Sequence, residues 1–117
     1  MEDNLPTHLF VDANIRRCQA ANMPVYVMQK GDHSRGIVCL KLVGRDGQCR
    51  VFSQMRDMDG VMKWYDRLQG QKQNEREADQ MLRAMGANDP DIWIIEVEAG
   101  NNEEFPFDGQ IIDLNTV

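Results

Sequence analysis

The stretch of this sequence that most resembles a site is Lys30 to Gly36. It contains one carboxylate, one imidazole, one hydroxyl and two cations, and two of its residues are glycines. Backbone N–H groups that glycines leave accessible, next to cationic side chains, can bind an anion. Lys30, Asp32, His33 and Arg35 are therefore candidate ligand-binding residues. The competing interpretation is a hairpin loop with solvated polar side chains, in which Asp32 caps its own turn.

Two adjacent arginines, Arg16 and Arg17, could extend this site. The predicted first helix carries them away from its apolar stripe, and with Lys30 or Arg35 they would form a basic patch. A solvated helix surface explains the same pair. The ligand-binding hypothesis is therefore a small-ligand or anion-binding domain, possibly an enzyme, built from the loop Lys30–Gly36 and these two arginines.

The sequence contains no complete catalytic or metal-binding set. His8 and His33 lack the spacing of paired metal ligands, and none of the three cysteines is spaced from another as metal ligands are. A metal site of the restriction-endonuclease type around Lys41 would need an acidic residue where Cys39 stands. Buried, unpaired thiols are the favoured state of the cysteines. We expect no metal and no cofactor, and we favour a protein that is not an enzyme.

Length and charge restrict the class of protein. The chain has 117 residues with 42% hydrophobic and 27% charged residues, which predicts one globular domain over 1–117, ordered from about 6 to 107 and frayed at its end. The net charge of −6 disfavours nucleic acid as a partner. No apolar run approaches the roughly 18 residues that span a bilayer, so we expect no membrane partner and a cytoplasmic location. Basic residues outnumber acidic ones only in residues 1–50, an asymmetry that could join two copies of the chain.

Two helices and four or five strands must position these groups. Thr7 is the predicted cap of a helix that runs to about Ala21, and Asn74 with Glu77 forms a capping-box pattern before a second helix that Gly86 ends. The predicted strands are Val25–Lys30, Ile37–Val43, Cys49–Met55, Val61–Leu68 and Ile92–Glu98, the last in the centre of the sheet. Phe105-Pro106-Phe107 is the predicted anchor of the C-terminal tail.

Glycine turns set the expected pairing of the strands. The loop Lys30–Gly36 should join the first two strands as a hairpin, and Asp46-Gly47 should place Cys39 opposite Gln54. The fold class predicted is α+β: a single, largely antiparallel sheet with both helices on its aliphatic face.

The second face of this sheet predicts an interface. It would carry a mixture of aromatic, aliphatic and methionine side chains, of which Tyr26, Met28, Ile37 and Phe52 are the candidate interface residues. Such a face must be covered by the tail or by a partner. The leading hypothesis is a non-enzymatic interaction module that self-associates as a homodimer, with an unknown protein as the other possible partner.

Several short motifs, in this order and spacing, resemble the DUF1491 family, which comprises small bacterial proteins of unknown function. The matching segments are Ile15–Cys18, Pro24–Val27, Lys30–Asp32 with Gly36, Lys41-Leu42, Asp46-Gly47, Glu77–Asp79 and Asp89–Glu98. The resemblance extends from about Val11 to Phe107. Asn22 stands where the family usually has Gly, Lys30 replaces an Arg, and Val61–Asn74 matches poorly. The resemblance implies a compact bacterial domain and no particular activity.

Overall fold

Eight secondary-structure elements form a helix-covered sheet in the computed structural model, which describes residues 5–100 and 104–112. The helices are α1 (Thr7–Ala20) and α2 (Glu75–Asn88), and the strands are β1 (Val25–Gln29), β2 (Val38–Gly44), β3 (Cys49–Arg56), β4 (Met62–Asp66), β5 (Trp93–Gly100) and β6 (Ile111–Ile112). The strand order is β1-β5-β2-β3-β4-β6. The α+β class and the central position of β5 are thus confirmed, and Val61–Leu68 does contain a strand.

The sheet is mixed, so the prediction of a largely antiparallel sheet is wrong. β1 pairs with β5, β2 with β3, and β3 with β4 in antiparallel fashion, but β5 runs parallel to β2 and β6 parallel to β4. The parallel pair arises because the chain crosses over through α2 before β5 enters the sheet beside β2, as parallel neighbours require. The burial of β2 on both faces accords with a central strand covered by helices on both sides.

β5 separates β1 from β2, so the predicted first hairpin does not exist. The loop between these strands instead lies against the turn before β5: Asp32 donates its N–H to the Asp91 carbonyl at 2.9 Å. A Cβ at Gly31 or Gly36 would collide with that same carbonyl oxygen. Glycines that predict a hairpin turn in sequence thus serve here for close backbone contact.

β2 and β3 form the predicted hairpin, but its register differs by one residue. Cys39 lies opposite Ser53, not Gln54. Gly44 donates its N–H to Gln48 at 2.9 Å, so three residues form the turn, and Gly47 occupies the left-handed position with φ 77°. The three-residue loop replaces the two-residue Asp46-Gly47 turn that we expected, and it turns Phe52 to the face that carries Leu40.

The helices lie on opposite faces of the sheet, which corrects the prediction that both share one face. On the α1 face, Val11 and Cys18 pack with the even-numbered side chains of β2 and with Phe107. On the α2 face, Ala78 and Leu82 pack with Cys39, Cys49 and other side chains of the sheet. Each face of the sheet therefore has a hydrophobic core of its own.

The helix ends differ from the sequence expectation in two places. α1 begins after Pro6 without a side-chain cap, and the Thr7 hydroxyl donates to the Gly36 carbonyl at 2.9 Å. α2 has the predicted Asn74 cap but continues past Gly86 to Asn88. Gly86 does not end the helix but packs closely on the sheet, where a Cβ would lie 2.5 Å from Oε1 of Gln29.

The cysteines and the tail anchor agree with prediction where the structure describes them. All three cysteines are buried and free. Phe107 is 2% exposed and packs edge-to-face against Phe10 and Trp64. The tail predicted to fray follows residue 107: its residues 108–112 are described and include β6, and residues 113–117 lie outside the described residues.

Candidate functional site

The loop Lys30–Gly36, here called the glycine loop, is built mainly from local and architectural hydrogen bonds. The Asp32 carboxylate accepts from the N–H groups of Ser34 at 3.1 Å and Arg35 at 2.7 Å, so it caps its own turn. The Asp32 carbonyl accepts from the Trp93 indole N–H at 2.8 Å. The carboxylate that was a candidate ligand-binding group in sequence is therefore occupied in shaping the loop, as the competing interpretation expected.

The glycine loop also closes the start of α1. The first N–H groups of a helix have no partner within the helix. Here Thr7 and His8 donate theirs to the carbonyls of Ser34 and His33, at 3.3 and 2.8 Å. The His8 and His33 rings lie 5.3 Å apart, a proximity that sequence distance concealed. The loop thus joins α1 to β5, and its backbone is largely used in doing so.

The six predicted ligand-binding residues do not converge on one site. Arg17 forms an ion pair with Asp108 on the tail segment. Arg16 and Lys30 are exposed on α1 and at the end of β1. Of the set Arg16, Arg17, Lys30, Asp32, His33 and Arg35, Arg35 is the one that lines the main cleft of the described residues. The basic patch that would unite the arginines with the loop is therefore absent from the described structure.

The four predicted interface residues separate in the same way. Tyr26 and Met28 are 50% and 42% exposed and lie on β1 at the edge of the sheet. Ile37 is partly buried and packs against the core on the α2 face. Phe52 is fully buried, with its ring 4.9 Å from that of Phe105 on the α1 face, so it is not an interface residue. The one-residue change of register explains this error.

The backbone of β1 offers unpaired hydrogen-bonding groups on its outer side. Glu98 of β5 donates its N–H to the Pro24 carbonyl at 2.9 Å, and the antiparallel register continues with Tyr26 opposite Glu96. Since antiparallel pairs alternate between hydrogen-bonded and non-hydrogen-bonded, Val25 and Val27 point their N–H and C=O groups away from β5. No described residue pairs with that edge.

A buried lysine forms three of the five ion pairs found among the described residues. The Lys41 ammonium contacts carboxylate oxygens of Glu75, Asp79 and Glu96 at 2.9, 2.7 and 3.0 Å, and the lysine side chain is 1% exposed. Burial by itself lowers the pKa of Lys41, but hydrogen bonds to Asp79, Glu75 and Glu96 outweigh it and hold that pKa above its ordinary value. We call these four residues the Lys41 cluster.

Sequence reasoning missed the Lys41 cluster, although a signal was present. Lys41 stands inside an apolar run from Val38 to Leu42, and a lysine buried on a central strand must find counter-charges. The cluster fastens α2 to the sheet. Burial raises the pKa of the neighbouring Cys49 thiol to about 11, which keeps it protonated and weakly nucleophilic.

The cleft lined by Arg35 holds a second residue that the sequence did not suggest. Gln54 is 7% exposed and accepts the N–H of Val38 at 2.9 Å through Oε1. The cleft runs between the start of α1, the adjoining ends of β3 and β4, and the segment Asp108–Gln110, and has a volume of about 1200 Å³. Its walls combine apolar side chains with a few polar groups, as in small-molecule sites.

Two further properties bear on chemistry. Among residues 5–100 and 104–112, no group of three or more histidine, cysteine or acidic side chains is arranged to hold a metal ion. The described helices also include none with the length and apolar character needed to cross a membrane.

Comparison with known proteins decides the family. The family described as "Protein of unknown function (DUF1491)" matches residues 5–106. The chain belongs to the DUF1491 family. The resemblance inferred from its short motifs is thereby confirmed, and no curated protein matches the chain significantly.

Solved structures of DUF1491 proteins share this fold. A crystal structure from Caulobacter crescentus CB15 is 28% identical, covers 92% of this chain and 99% of its own, and has a TM-score of 0.80. An NMR structure of a DUF1491 protein from the same organism is 29% identical, with coverage of 93% and 97% and a TM-score of 0.80. The solution structure of protein Atu0922 from A. tumefaciens, 24% identical with coverage of 94% and 96% and a TM-score of 0.74, supports the fold alone.

Proposed function

We propose that this DUF1491 protein is a non-enzymatic interaction module that self-associates by pairing the β1 strands of two copies. The observation that carries the proposal is the open outer edge of β1, with Tyr26, Val27 and Met28 exposed on it. Exposed edge strands without charges readily pair with another strand, and natural proteins commonly protect them with lysine or proline. β1 has no charged residue between Val25 and Gln29.

The geometry of β1 suits a twofold arrangement centred on Tyr26. Val25 of one copy would exchange backbone hydrogen bonds with Val27 of the other, because both residues direct their N–H and C=O groups outward. The two Tyr26 side chains would then lie directly opposite each other in a non-hydrogen-bonded pair, where side chains approach most closely. The register irregularity between Val27 and Gln29 limits the pairing to this first part of the strand.

The expected association is weak and depends on concentration. A five-residue strand offers much less than the roughly 1,200 Å² that stable interfaces bury. In the glycine loop, the Asp32 carboxylate is engaged in hydrogen bonds within the loop. Burial raises the thiol pKa of both Cys39 and Cys49. These observations favour binding over catalysis. We place the protein in the cytoplasm, where its free thiols would stay reduced.

The test measures molar mass by sedimentation from micromolar to millimolar protein. The parent should shift from monomer to dimer, and Tyr26→Glu should remain monomeric because it places two carboxylates side by side at the pairing centre. Val27→Pro should have the same effect without adding charge, since it removes an outward N–H donor. Met55→Glu, on another exposed apolar residue, 37% exposed on β3, is the matched control and should dimerise like the parent.

The result that contradicts self-association is equally specific. A parent that stays monomeric at millimolar concentration would exclude it. So would a Tyr26→Glu variant that is folded by circular dichroism and still dimerises as Met55→Glu does.

A further inference from the structure

The cleft beside Arg35 has a donor that the protein itself does not use. Val38 presents an N–H to Gln54, so the acceptor must be Oε1 and the amide orientation is fixed. Nε2 makes no hydrogen bond with another described residue, and it keeps access to solvent although Gln54 as a whole is 7% exposed. Gln54 lines the cleft, so this solvent-accessible N–H group is presented to it. Its amide is therefore available to donate to a bound molecule.

The charges that line the cleft leave an excess of positive charge. Lys63 is paired with Asp57 at 2.7 Å, and Asp108 is paired with Arg17. Arg56 donates one hydrogen bond to the Gly60 carbonyl at 2.7 Å and keeps its charge uncompensated. The Arg35 guanidinium has neither hydrogen bond nor ion pair with any described residue. Arg35 and Arg56 are therefore two cations at the cleft without an ion pair among the described residues, and a bound anion could neutralise them.

The rest of the lining is largely apolar, and hydrogen bonds hold part of it in place. Phe10, Ile37 and Met62 contribute apolar surface, and Trp64 borders the cleft but is 0% exposed. The Trp64 indole N–H donates to the Asp108 carbonyl at 2.8 Å. Asn14, 1% exposed, accepts the Asp108 N–H at 2.8 Å. These bonds fix one wall of the cleft against α1, so its shape exists before any ligand arrives.

We infer that this cleft is a binding site for a small amphipathic carboxylate. The carboxylate would accept hydrogen bonds from the Gln54 amide and satisfy the positive charge of Arg35 and Arg56, while its hydrocarbon part would lie against Phe10 and Met62. Charge-assisted hydrogen bonds of this kind are the strong ones. The site contains no residue of β1, so the test of ligand binding and the test of self-association are independent of each other.

The experiment follows ¹H–¹⁵N resonances of the full chain during titration with octanoate below its micellar concentration. The side-chain amide of Gln54 and the indole N–H of Trp64 should shift and saturate. Octanol should bind more weakly, and octyltrimethylammonium, with the same chain but opposite charge, should not saturate these sites. Shifts that are the same for all three compounds would overturn the inference, because they would indicate apolar contact alone.

Two variants test the residues that carry the inference. Arg35→Gln should weaken octanoate binding at least about tenfold, the effect of losing one charged hydrogen bond. Arg83→Gln removes an exposed charge from α2, away from the cleft, and should bind as the parent does. Equal affinity of these two variants would contradict the site.

Gln54→Glu provides the second test. Glutamate retains an acceptor for the Val38 N–H but replaces the NH₂ donor by a carboxylate oxygen, so octanoate binding should be lost. The unfolding temperature shows whether the variant is folded. A folded Gln54→Glu variant that binds octanoate with parental affinity would remove Gln54 from the site and overturn the inference.

Discussion

The two faces of the sheet are covered by helices of the same length, and they are held together by different forces. On the α1 face, aromatic rings dominate: Phe52, Trp64, Phe105 and Phe107 lie with ring centroids 4.9–6.2 Å apart. On the α2 face, the Lys41 cluster joins β2, β5 and the helix through three ion pairs. Apolar packing is insensitive to pH, whereas a cluster of charges depends on the protonation of each member.

The starts of the helices show the same contrast. α2 has a local cap, since the Asn74 side chain accepts the Glu77 N–H at 2.8 Å. α1 has no side-chain cap and depends on carbonyls of the distant glycine loop. The α2 face is therefore specified by local sequence and charge, and the α1 face by tertiary contacts. The open cleft occurs on the α1 face, where three separate segments must meet.

The largest effect should come from Phe107→Ala on the α1 face. Phe107 is 2% exposed and contacts Phe10 and Trp64, so its removal should cost about 3–5 kcal/mol, the usual range for a buried phenylalanine. Urea unfolding gives this value, and the loss should be the same at pH 7 and about pH 11. Leu9→Ala, at an exposed position of α1, should be nearly neutral. A loss below about 1 kcal/mol would show that the tail does not seal this face.

Lys41→Met should destabilise the α2 face somewhat less. It leaves three carboxylates together without a cation, and we expect about 3 kcal/mol, the lower end for a broken buried ion pair, because Glu75 is about half exposed. Lys72→Met, on an exposed lysine, serves as the control.

The pH dependence of the Lys41 effect has a definite sign. The folded pKa of Lys41 is raised above the ordinary value of 10.5, so its stabilisation is complete below about pH 10.5 and decreases as the pH rises beyond it. The difference in unfolding free energy between parent and Lys41→Met should thus shrink in alkali, unlike that of Phe107→Ala. A difference that stays constant to about pH 12 would contradict the electrostatic account.

The smallest effect should come from Asn74→Ala. Loss of the side-chain cap of α2 should cost about 1 kcal/mol. Asn74→Asp retains the acceptor oxygen and should restore parental stability. If both variants were equally destabilised in urea unfolding, the hydrogen bond to Glu77 would not be the reason that α2 begins where it does.

Local patterns predicted most of the secondary structure because they depend on neighbouring residues. The Asn74 cap and the apolar run of β5 were both readable from the sequence. The parallel pairing of β2 with β5 could not be read, since it depends on where α2 returns the chain. The predicted register of β2 and β3 was wrong by one residue, because the turn after Gly44 contains three residues and not two.

The sites were less predictable than the fold because reactive residue types do not reveal their partners. Asp32 and Arg17 looked available in sequence, but each is engaged by another part of the chain. Gln54 looked unremarkable in sequence. Its NH₂ group is available because the Val38 N–H donates to the other polar atom of the amide, Oε1. Availability of a polar group is a tertiary property, so composition alone located the wrong residues.

The position of β5 between β1 and β2 also determines the order in which the chain can fold. β1 leaves the ribosome early, but its sole described neighbour in the sheet is β5, near the other end of the sequence. The β2–β3–β4 meander can form as soon as it is synthesised, whereas β1 must wait until α2 and β5 have emerged, because distant pairings incur the entropy of closing a long loop. During that interval both edges of β1 are unpaired. An apolar strand that stays unpaired until the end of its partner's synthesis is open to aggregation during that time.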